Sequence, residues 1–256
     1  MGSSRVLVTG AEGTIGTAVR EHLADRYELV SLTLTPQEFP SHVADISDLD
    51  AIRPAFDDVD AVVHLAASAA IETPWDDVLR NNIVGTYNVF EAAREAGVSR
   101  VVFASSNHAV GMYELDGAPG LYEPDDRRSY DHTAELRPDS LYGVSKAYGE
   151  ALGRLYMERH GLRVFCLRIG AVRANDDPTV PSTSPLIDLD AAGQRNRMRA
   201  VWLSRRDCAE LIAACLKVAD VDWAIVYGVS ANPRRFWDLE HARDLLGWEP
   251  QDAAPV

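Results

Sequence analysis

Residues 9–16 read Thr-Gly-Ala-Glu-Gly-Thr-Ile-Gly and stand between a short apolar run at residues 6–8 and a segment with helical periodicity. In that segment, residues 14–26, the apolar side chains recur on one helical face. A glycine-rich turn between a strand and a helix lets the backbone approach a pyrophosphate and directs N–H groups at it. The turn therefore predicts dinucleotide binding, although its GxxGxxG spacing differs from the GxGxxG of most dinucleotide folds.

Strand-like and helix-like segments alternate along the rest of the chain. Strands are predicted at residues 27–34, 41–45, 61–65, 100–105, 162–169 and 223–227. Helices are predicted at residues 48–56, 75–96, 142–160, 207–218 and 236–246. Because the strands are apolar throughout, both faces of the sheet should be covered. The chain is therefore predicted to be α/β, with a Rossmann-type doubly wound parallel sheet and a small C-terminal substrate-binding portion.

Two long segments, residues 107–138 and 170–200, interrupt this alternation and are predicted to be loops. Both follow strands at one edge of the sheet, which is where ligands bind in open α/β sheets. Residues 1–256 are expected to form a single domain. Its cofactor part should end at about residue 169, and its substrate-binding loops and C-terminal elements should span about residues 170–256.

The chain is strongly acidic: Lys and Arg total 25 against 39 Asp and Glu, and the net charge is −14. Such a surface repels nucleic acid and anionic membranes, so neither is expected as a partner. With no apolar run long enough for a membrane span and no signal-peptide pattern at the start, we expect a cytoplasmic protein. Only two residues are lysines. Scarce lysine and abundant aspartate suit a salt-rich, halophilic cytoplasm, and a GC-rich genome would also deplete lysine.

The three cysteines, Cys166, Cys208 and Cys215, lie in apolar segments and form no CxxC pair. They are expected to be buried free thiols in a reducing compartment. The seven histidines show no ligand spacing, so no metal site is predicted.

Tyr142 and Lys146 carry the clearest chemical signal. Four residues apart on a predicted helix, their side chains share one face. A nearby ammonium group is expected to lower the pKa of the phenol from about 10 toward neutrality, which would make Tyr142 a general base. Ser106, at the end of a predicted strand, can hydrogen-bond the same substrate oxygen. These three residues are the predicted catalytic group.

The expected contacts to the adenosine half of a dinucleotide are less clear. Residues 31–35, at the end of the second predicted strand, contain no acid for a ribose diol and no arginine for a 2′-phosphate. Charge therefore leaves NAD and NADP both open, with a slight preference for NAD. Asp45 could bond the adenine amino group, or it could cap the following helix.

Further motifs follow in a fixed order: ADISD at 44–48, HLAA at 64–67, NNIVGT at 81–86, FASSN at 103–107 and YGVSK at 142–146. With these motifs, most of residues 5–230 resembles the extended short-chain dehydrogenase/reductase superfamily. The resemblance implies a catalytic triad of Ser106, Tyr142 and Lys146. The cofactor contacts that it implies are Gly10, Gly13, Thr14, Ile15, Gly16, Thr33, Asp45, Ile46, Leu65, Ala66, Ala67, Asn82, Tyr142, Lys146 and Ile169. It also suggests a dimer formed through helices 75–96 and 142–160.

Residues 105–111, 137–146 and 168–170 resemble the uronate dehydrogenases and the haloarchaeal glucose-6-phosphate dehydrogenases, and residues 202–208 and 247–252 favour the latter. Both groups oxidise a sugar at C1 to a lactone. The resemblance implies an NAD(P)-dependent sugar 1-dehydrogenase, with glucose 6-phosphate the favoured substrate. A hexuronate, a neutral aldose, sugar epimerase or dehydratase chemistry, and a regulator that has lost catalysis are the alternatives. About 85 residues after Gly170 leave little room for a sugar nucleotide.

Arg195, Arg197 and Arg199 stand out in a predicted loop of an acidic chain. Arginine holds a carboxylate or phosphate with two hydrogen bonds, so the cluster could bind an anionic sugar, or it could be a solvated loop paired with aspartates. The resemblance matches Arg197 to the residue that holds the uronate carboxylate, whereas Ala171 replaces a serine of those enzymes. The expected substrate contacts are Ser68, Ser106, Asn107, His108 and Arg197. His108 could instead be a structural histidine bonded to the backbone.

Overall fold

The computed structural model describes residues 4–181 and 184–256. Within these ranges, parallel strands form one sheet in the order β3-β2-β1-β4-β5-β6-β7. The strands are β1 (Arg5–Thr9), β2 (Glu28–Thr33), β3 (His42–Val43), β4 (Ala61–His64), β5 (Arg100–Ser106), β6 (Arg163–Ile169) and β7 (Trp223–Gly228). Strand order reverses at β1 and β4, so the predicted doubly wound Rossmann-type sheet is confirmed, with its crevice beyond the carboxyl ends of these strands.

Helical segments connect the strands. The α-helices are α1 (Thr14–Leu23), α2 (Leu49–Ile52), α3 (Trp75–Asp77), α4 (Gly85–Glu95), α5 (Met112–Gly117), α6 (Leu141–His160), α7 (Ala191–Val201), α8 (Arg205–Lys217) and α9 (Glu240–Leu246). Short 3₁₀ turns cover Arg53–Phe56, Asn107–Val110 and Gly120–Tyr122, and a π-helix covers Val78–Val84. None of the helices in the described ranges is long and apolar enough to cross a membrane.

The two faces of the sheet have separate cores because successive side chains of a strand point to opposite sides. Val6 and Val8 of β1 belong to a buried cluster that includes Val19 of α1. Leu7, between them, belongs to the opposite cluster, together with Phe90 of α4. This burial on both faces explains why the strands are apolar throughout. These two clusters also bury the three cysteines, which are free thiols as predicted.

Three predicted elements differ from the structure. The loop expected at residues 107–138 contains α5 and two short 3₁₀ turns. The long helix expected at residues 75–96 is continuous in space but widens into the π-helix over Val78–Val84. The loop expected at residues 170–200 contains α7, which begins where the Asp190 carboxylate accepts a hydrogen bond from Gly193 N. α7 is poor in large apolar residues, so its periodicity is weak in the sequence. Its burial depends on contacts with distant segments.

Candidate active site

A cavity of about 600 Å³ lies beyond the carboxyl ends of the central strands. It extends from the glycine-rich turn after β1 to Tyr142 on α6. Most of the predicted cofactor contacts line it: Gly10, Gly13, Thr14, Ile15, Gly16, Thr33, Asp45, Ile46, Leu65, Ala66, Ala67, Tyr142, Lys146 and Ile169. Residues that are far apart in sequence therefore meet here because parallel strands end at the same edge of the sheet.

The glycine-rich turn has a geometry that excludes side chains at two positions. Gly10 has a φ of +68°, and a Cβ there would lie 2.8 Å from Ala66 N. A Cβ on Gly16 would lie 2.6 Å from Gly10 O, so this residue lets α1 pack tightly against the turn. Gly13 caps α1 without any side-chain hydrogen bond, which leaves the first-turn N–H groups for an anion. The turn thus fits the pyrophosphate of a dinucleotide.

At the adenosine end, Asp45 is held by its neighbours. Its carboxylate accepts a hydrogen bond from Ser47 N at 2.8 Å and pairs with Arg80. Although partial burial acts in the opposite direction, these bonds lower the pKa of Asp45. The alternative role as a helix cap is excluded, because Asp48 caps α2 by accepting from Ala51 N. Asp45 remains on the cavity wall.

Glu12 is a cavity residue that sequence reasoning missed. Its carboxylate Oε1 accepts a hydrogen bond of 3.0 Å from Leu34 N, the first residue after β2. The search for a ribose-binding acid was confined to the end of β2, whereas this acid reaches the same place from the turn after β1. The sequence did carry a signal for this role, because Glu12 is an acid between two glycines of the turn.

Asn82 does not line the cavity, contrary to its predicted role as a cofactor contact. Its Oδ1 accepts from Ser68 N at 2.8 Å, and its Nδ2 donates to Ser68 O and to Ser145 Oγ, both at 3.0 Å. Asn82 therefore positions the segment after β4 against α6. Its neighbour Asn81 lines the cavity and donates to Ser68 Oγ at 2.9 Å.

Ser106, Tyr142 and Lys146 are brought together at the inner end of the cavity, and all three are buried. Ser106 ends β5, and its hydroxyl lies near enough to the Tyr142 phenol to act on the pKa of that phenol. The Lys146 ammonium donates to Ala104 O at 2.7 Å and lies 5.5 Å from the centre of the Tyr142 ring. Tyr142 and Lys146 share one face of α6, as their spacing predicts.

The pKa expected for Tyr142 is wrong for the protein alone. Burial raises the pKa of Tyr142 to about 12, and the hydrogen bond from Ser106 only partly offsets it. Burial also lowers the pKa of Lys146 to about 8. The ammonium is engaged by the Ala104 carbonyl rather than by the phenol oxygen, so desolvation dominates. Additional positive charge is needed to make Tyr142 an effective base near neutrality.

A second, smaller cavity of about 310 Å³ adjoins the first and shares its residues Ala69, His108, Gly170 and Ala171. Asn107 and Arg197, two predicted substrate contacts, also line it. Ser68 lies on the larger cavity only.

His108 Nδ1 lies 2.6 Å from the buried carboxylate of Asp139, and the His108 ring meets Tyr142 edge-on at 5.9 Å. The His108 ring is therefore held by a carboxylate and not by the backbone, contrary to the alternative stated above. It lines both cavities.

The three arginines do not form a cluster, because they lie on a helix rather than in a loop. Residues two apart on α7 point in nearly opposite directions, so Arg197 faces inward while Arg195 is exposed. Arg199 donates to the Val256 carbonyl at 2.8 Å. Of the three, Arg197 is the one that lines either of these two cavities in the described part of the chain.

Arg197 is 5% exposed and has a carboxylate partner of its own. Its Nε and Nη2 donate to the two oxygens of Glu114 at 2.8 and 3.2 Å. Glu114 is equally buried, and it also accepts from the Tyr122 hydroxyl at 2.9 Å. The charge of Arg197 is therefore matched inside the protein. Sequence reasoning missed Glu114 because it lies 83 residues away and carries no motif.

Comparisons with known proteins agree with this architecture. A family model described as the NAD dependent epimerase/dehydratase family matches residues 6–185. The chain therefore belongs to this family, which confirms the resemblance stated from its motifs. NAD is accordingly its cofactor, and the glycine-rich turn and the rest of the larger cavity fit it.

Individual relatives cover nearly the whole chain. An NAD-dependent glucose-6-phosphate dehydrogenase of Haloferax volcanii is 43% identical, over 96% of this chain and 93% of the relative. An L-arabinose 1-dehydrogenase (NAD(P)(+)) of the same organism is 37% identical, over 97% of each. A uronate dehydrogenase from Agrobacterium tumefaciens, solved as a mutant complexed with NAD, is 33% identical with a TM-score of 0.81, over 99% of this chain and 86% of that one.

Proposed function

We propose that this NAD-dependent oxidoreductase oxidises the anomeric carbon of an aldose to the lactone, with glucose 6-phosphate as its favoured substrate. One observation carries the proposal: Tyr142 and Ser106 line the cavity that fits NAD, and the Tyr142 ring contacts His108, which this cavity shares with a second cavity of about 310 Å³. That volume suits a monosaccharide rather than a sugar nucleotide. The segment from residue 170 to 256 contributes Gly170, Ala171, Pro185, Arg197 and Val201 to the second cavity.

In the proposed reaction, Tyr142 Oη takes the proton of the anomeric hydroxyl while the C1–H bond breaks and the C1–O bond becomes the lactone carbonyl. The Ser106 hydroxyl, which donates to Asn107 Oδ1 at 3.2 Å in the structure, turns to donate its one proton to the same substrate oxygen instead. NAD supplies the hydride acceptor and, through its positive nicotinamide ring, the additional charge that favours the Tyr142 phenolate. Lys146 contributes a second positive charge, 5.5 Å from the centre of the Tyr142 ring.

Glucose 6-phosphate is favoured for two reasons. The relative that acts on it is 43% identical across almost the whole chain. Arg197 also lies on the wall of the second cavity, where a remaining donor of its guanidinium could meet a phosphate or carboxylate.

A neutral aldose is the second candidate, and a specific observation favours it. Glu114 accepts from two nitrogens of Arg197, and Glu72 adds a carboxylate to the same cavity. These two acids make the cavity less attractive to an anion. The 37% identity with an arabinose dehydrogenase points the same way.

The deciding experiment measures initial NADH formation with glucose 6-phosphate, glucuronate, galacturonate, arabinose and glucose, in low and in molar salt. Turnover of glucose 6-phosphate well above the others supports the favoured substrate. Preference for arabinose or glucose assigns the cavity to neutral sugars, and preference for a uronate makes Ala171 a tolerated replacement. Interconversion of sugars without net NADH would instead indicate an epimerase. A regulator would be indicated by two results together: the wild type turns over none of these sugars, and the Tyr142→Phe variant still performs the protein's biological role.

We also propose that two copies of the chain associate through α6 and the π-helix region. α6, the π-helix and the adjoining α4 contact one another and expose the large apolar side chains Leu79, Val84, Tyr87, Leu141, Val144 and Leu155. Exposed apolar side chains on neighbouring helices favour a symmetric interface with a second copy. Light scattering should give a dimer for the wild type and for the control Leu136→Arg, and a monomer for Leu155→Arg. A dimeric Leu155→Arg protein would exclude this interface.

A further inference from the structure

The carboxylate of Glu12 occupies the adenosine end of the larger cavity. It bridges the turn after β1 and the end of β2 through its 3.0 Å hydrogen bond from Leu34 N. In doubly wound folds an acid at the end of β2 bonds the adenosine ribose hydroxyls. Here that strand ends in Thr33, whose hydroxyl lies 2.9 Å from both Thr35 O and Ser41 Oγ. Glu12 therefore brings a carboxylate to a place where the strand itself offers none.

The other charged side chains at this end already have partners. Asp45, the second acid on this part of the wall, pairs with Arg80. Arg20, the arginine near the turn, donates to Ala11 O and to Thr17, and its guanidinium stacks over Phe39 at 3.8 Å. Among the described residues that line the cavity, Lys146 is the one lysine or arginine, and it lies at the nicotinamide end. In the described part of this cavity wall, Glu12 is thus the acid that has no ion-pair partner.

We propose that Glu12 is the residue that makes this protein select NAD over NADP. Its carboxylate accepts a hydrogen bond from Leu34 through Oε1 and offers its remaining lone pairs to a ribose hydroxyl. A 2′-phosphate would bring two negative groups together at a site without a compensating cation, which costs binding free energy. Selection by this residue does not depend on which sugar the enzyme oxidises.

The test separates charge from loop structure. Glu12→Gln keeps an oxygen acceptor for Leu34 N–H and removes the charge, whereas Glu12→Ala removes both. Glu21→Gln is the matched control, since Glu21 is a half-exposed acid of α1 that pairs with Arg205 outside the cavity. Calorimetry without sugar gives the Kd values of ADP and of adenosine 2′,5′-bisphosphate for each protein. Steady-state kcat/KM values with NAD and NADP follow with the best sugar substrate.

Wild type and Glu21→Gln should bind ADP more tightly than the 2′-phosphorylated nucleotide. Glu12→Gln should bind the 2′-phosphorylated nucleotide about tenfold more tightly than wild type and leave the Kd of ADP within about threefold. Because exposed charges are screened, the wild-type discrimination should shrink as salt rises, and that of Glu12→Gln should not. An unchanged ratio of the two Kd values in Glu12→Gln, or a parallel loss of both affinities, would overturn the proposal and leave Glu12 a structural link. These binding results stand even if every sugar tested proves inert.

Discussion

The cofactor cavity and the substrate cavity are built in different ways. Around the first, the contacts come from strand ends and from the backbone of a glycine-rich turn. Around the second, the polar side chains are held by distant partners, as in the pair Arg197–Glu114 and the pair His108–Asp139. A backbone site depends on local geometry, whereas a side-chain site depends on which charges the fold brings together. The two cavities should therefore respond differently to substitution.

The largest effect is expected at Tyr142, on the wall of the cofactor cavity. Tyr142→Phe removes the proton acceptor and should lower kcat for sugar oxidation by about a thousandfold. The affinity for ADP should stay within about twofold of wild type, because the glycine-rich turn is untouched. A variant that keeps more than about a tenth of the wild-type kcat would remove Tyr142 from its proposed role.

Glu114→Gln tests whether the substrate cavity depends on its buried ion pair. Leaving Arg197 buried without a carboxylate should lower the free energy of unfolding by about 3 to 5 kcal/mol, measured by urea denaturation. If the folded variant is recovered, its KM for glucose 6-phosphate should fall relative to that for glucose, since the charge of Arg197 is released. The matched control Glu123→Gln changes an exposed acid and should cost less than about 1 kcal/mol. Equal KM changes for both sugars would show that Arg197 does not face the anionic group.

The pH dependence of catalysis follows from the pKa of the phenol. Because burial raises the pKa of Tyr142 to about 12, its hydroxyl keeps the proton near neutrality. The value of kcat/KM for oxidation should therefore rise with pH, by about tenfold per unit between about pH 6 and about pH 8. Lys146→Met should move this rise to higher pH by removing a positive charge. Coincident profiles for wild type and Lys146→Met would contradict an electrostatic role for Lys146.

A smaller effect is expected beneath the cofactor cavity, at His64. Burial, assisted by the Lys146 ammonium, lowers the pKa of His64 to about 3, against about 6.5 in an unfolded chain. The unfolded state then binds an extra proton between these pH values. The stabilisation is complete above about pH 6.5 and is lost by about 1.4 kcal/mol per unit as the pH falls toward 3.

His64→Asn should remove this dependence, while its Oδ1 can still accept the hydrogen bond that Thr9 Oγ1 makes with His64 Nδ1 at 2.8 Å. Urea denaturation at about pH 7.5 and about pH 5.5 measures the slope. His42→Asn, on an exposed edge strand, should leave the slope unchanged. A slope in His64→Asn equal to that of wild type would assign the pH dependence to other groups.

Much of the fold could be predicted from local patterns. The apolar strands, the helical spacing of α1 and the glycine-rich turn are consequences of short-range geometry with periods of 2 and 3.6 residues. The relation between Tyr142 and Lys146 is of the same kind, because four residues on a helix span about one turn. α7 was missed because its buried residues are Arg197, Met198, Ala200 and Val201, which cluster at its C-terminal end and form no apolar stripe along the helix.

The sequence by itself was therefore enough to predict the parallel sheet, the pyrophosphate turn and the spacing of the catalytic residues, because each depends on a pattern within a few neighbouring residues. The charge state of the site needed the folded molecule. Burial raises the pKa of Tyr142 where spacing alone predicts a decrease. Glu114 balances Arg197 across 83 residues, and Glu12 reaches Leu34 across 22. Electrostatic free energies depend on distance and solvent exposure in three dimensions, and neither quantity is encoded in a local pattern.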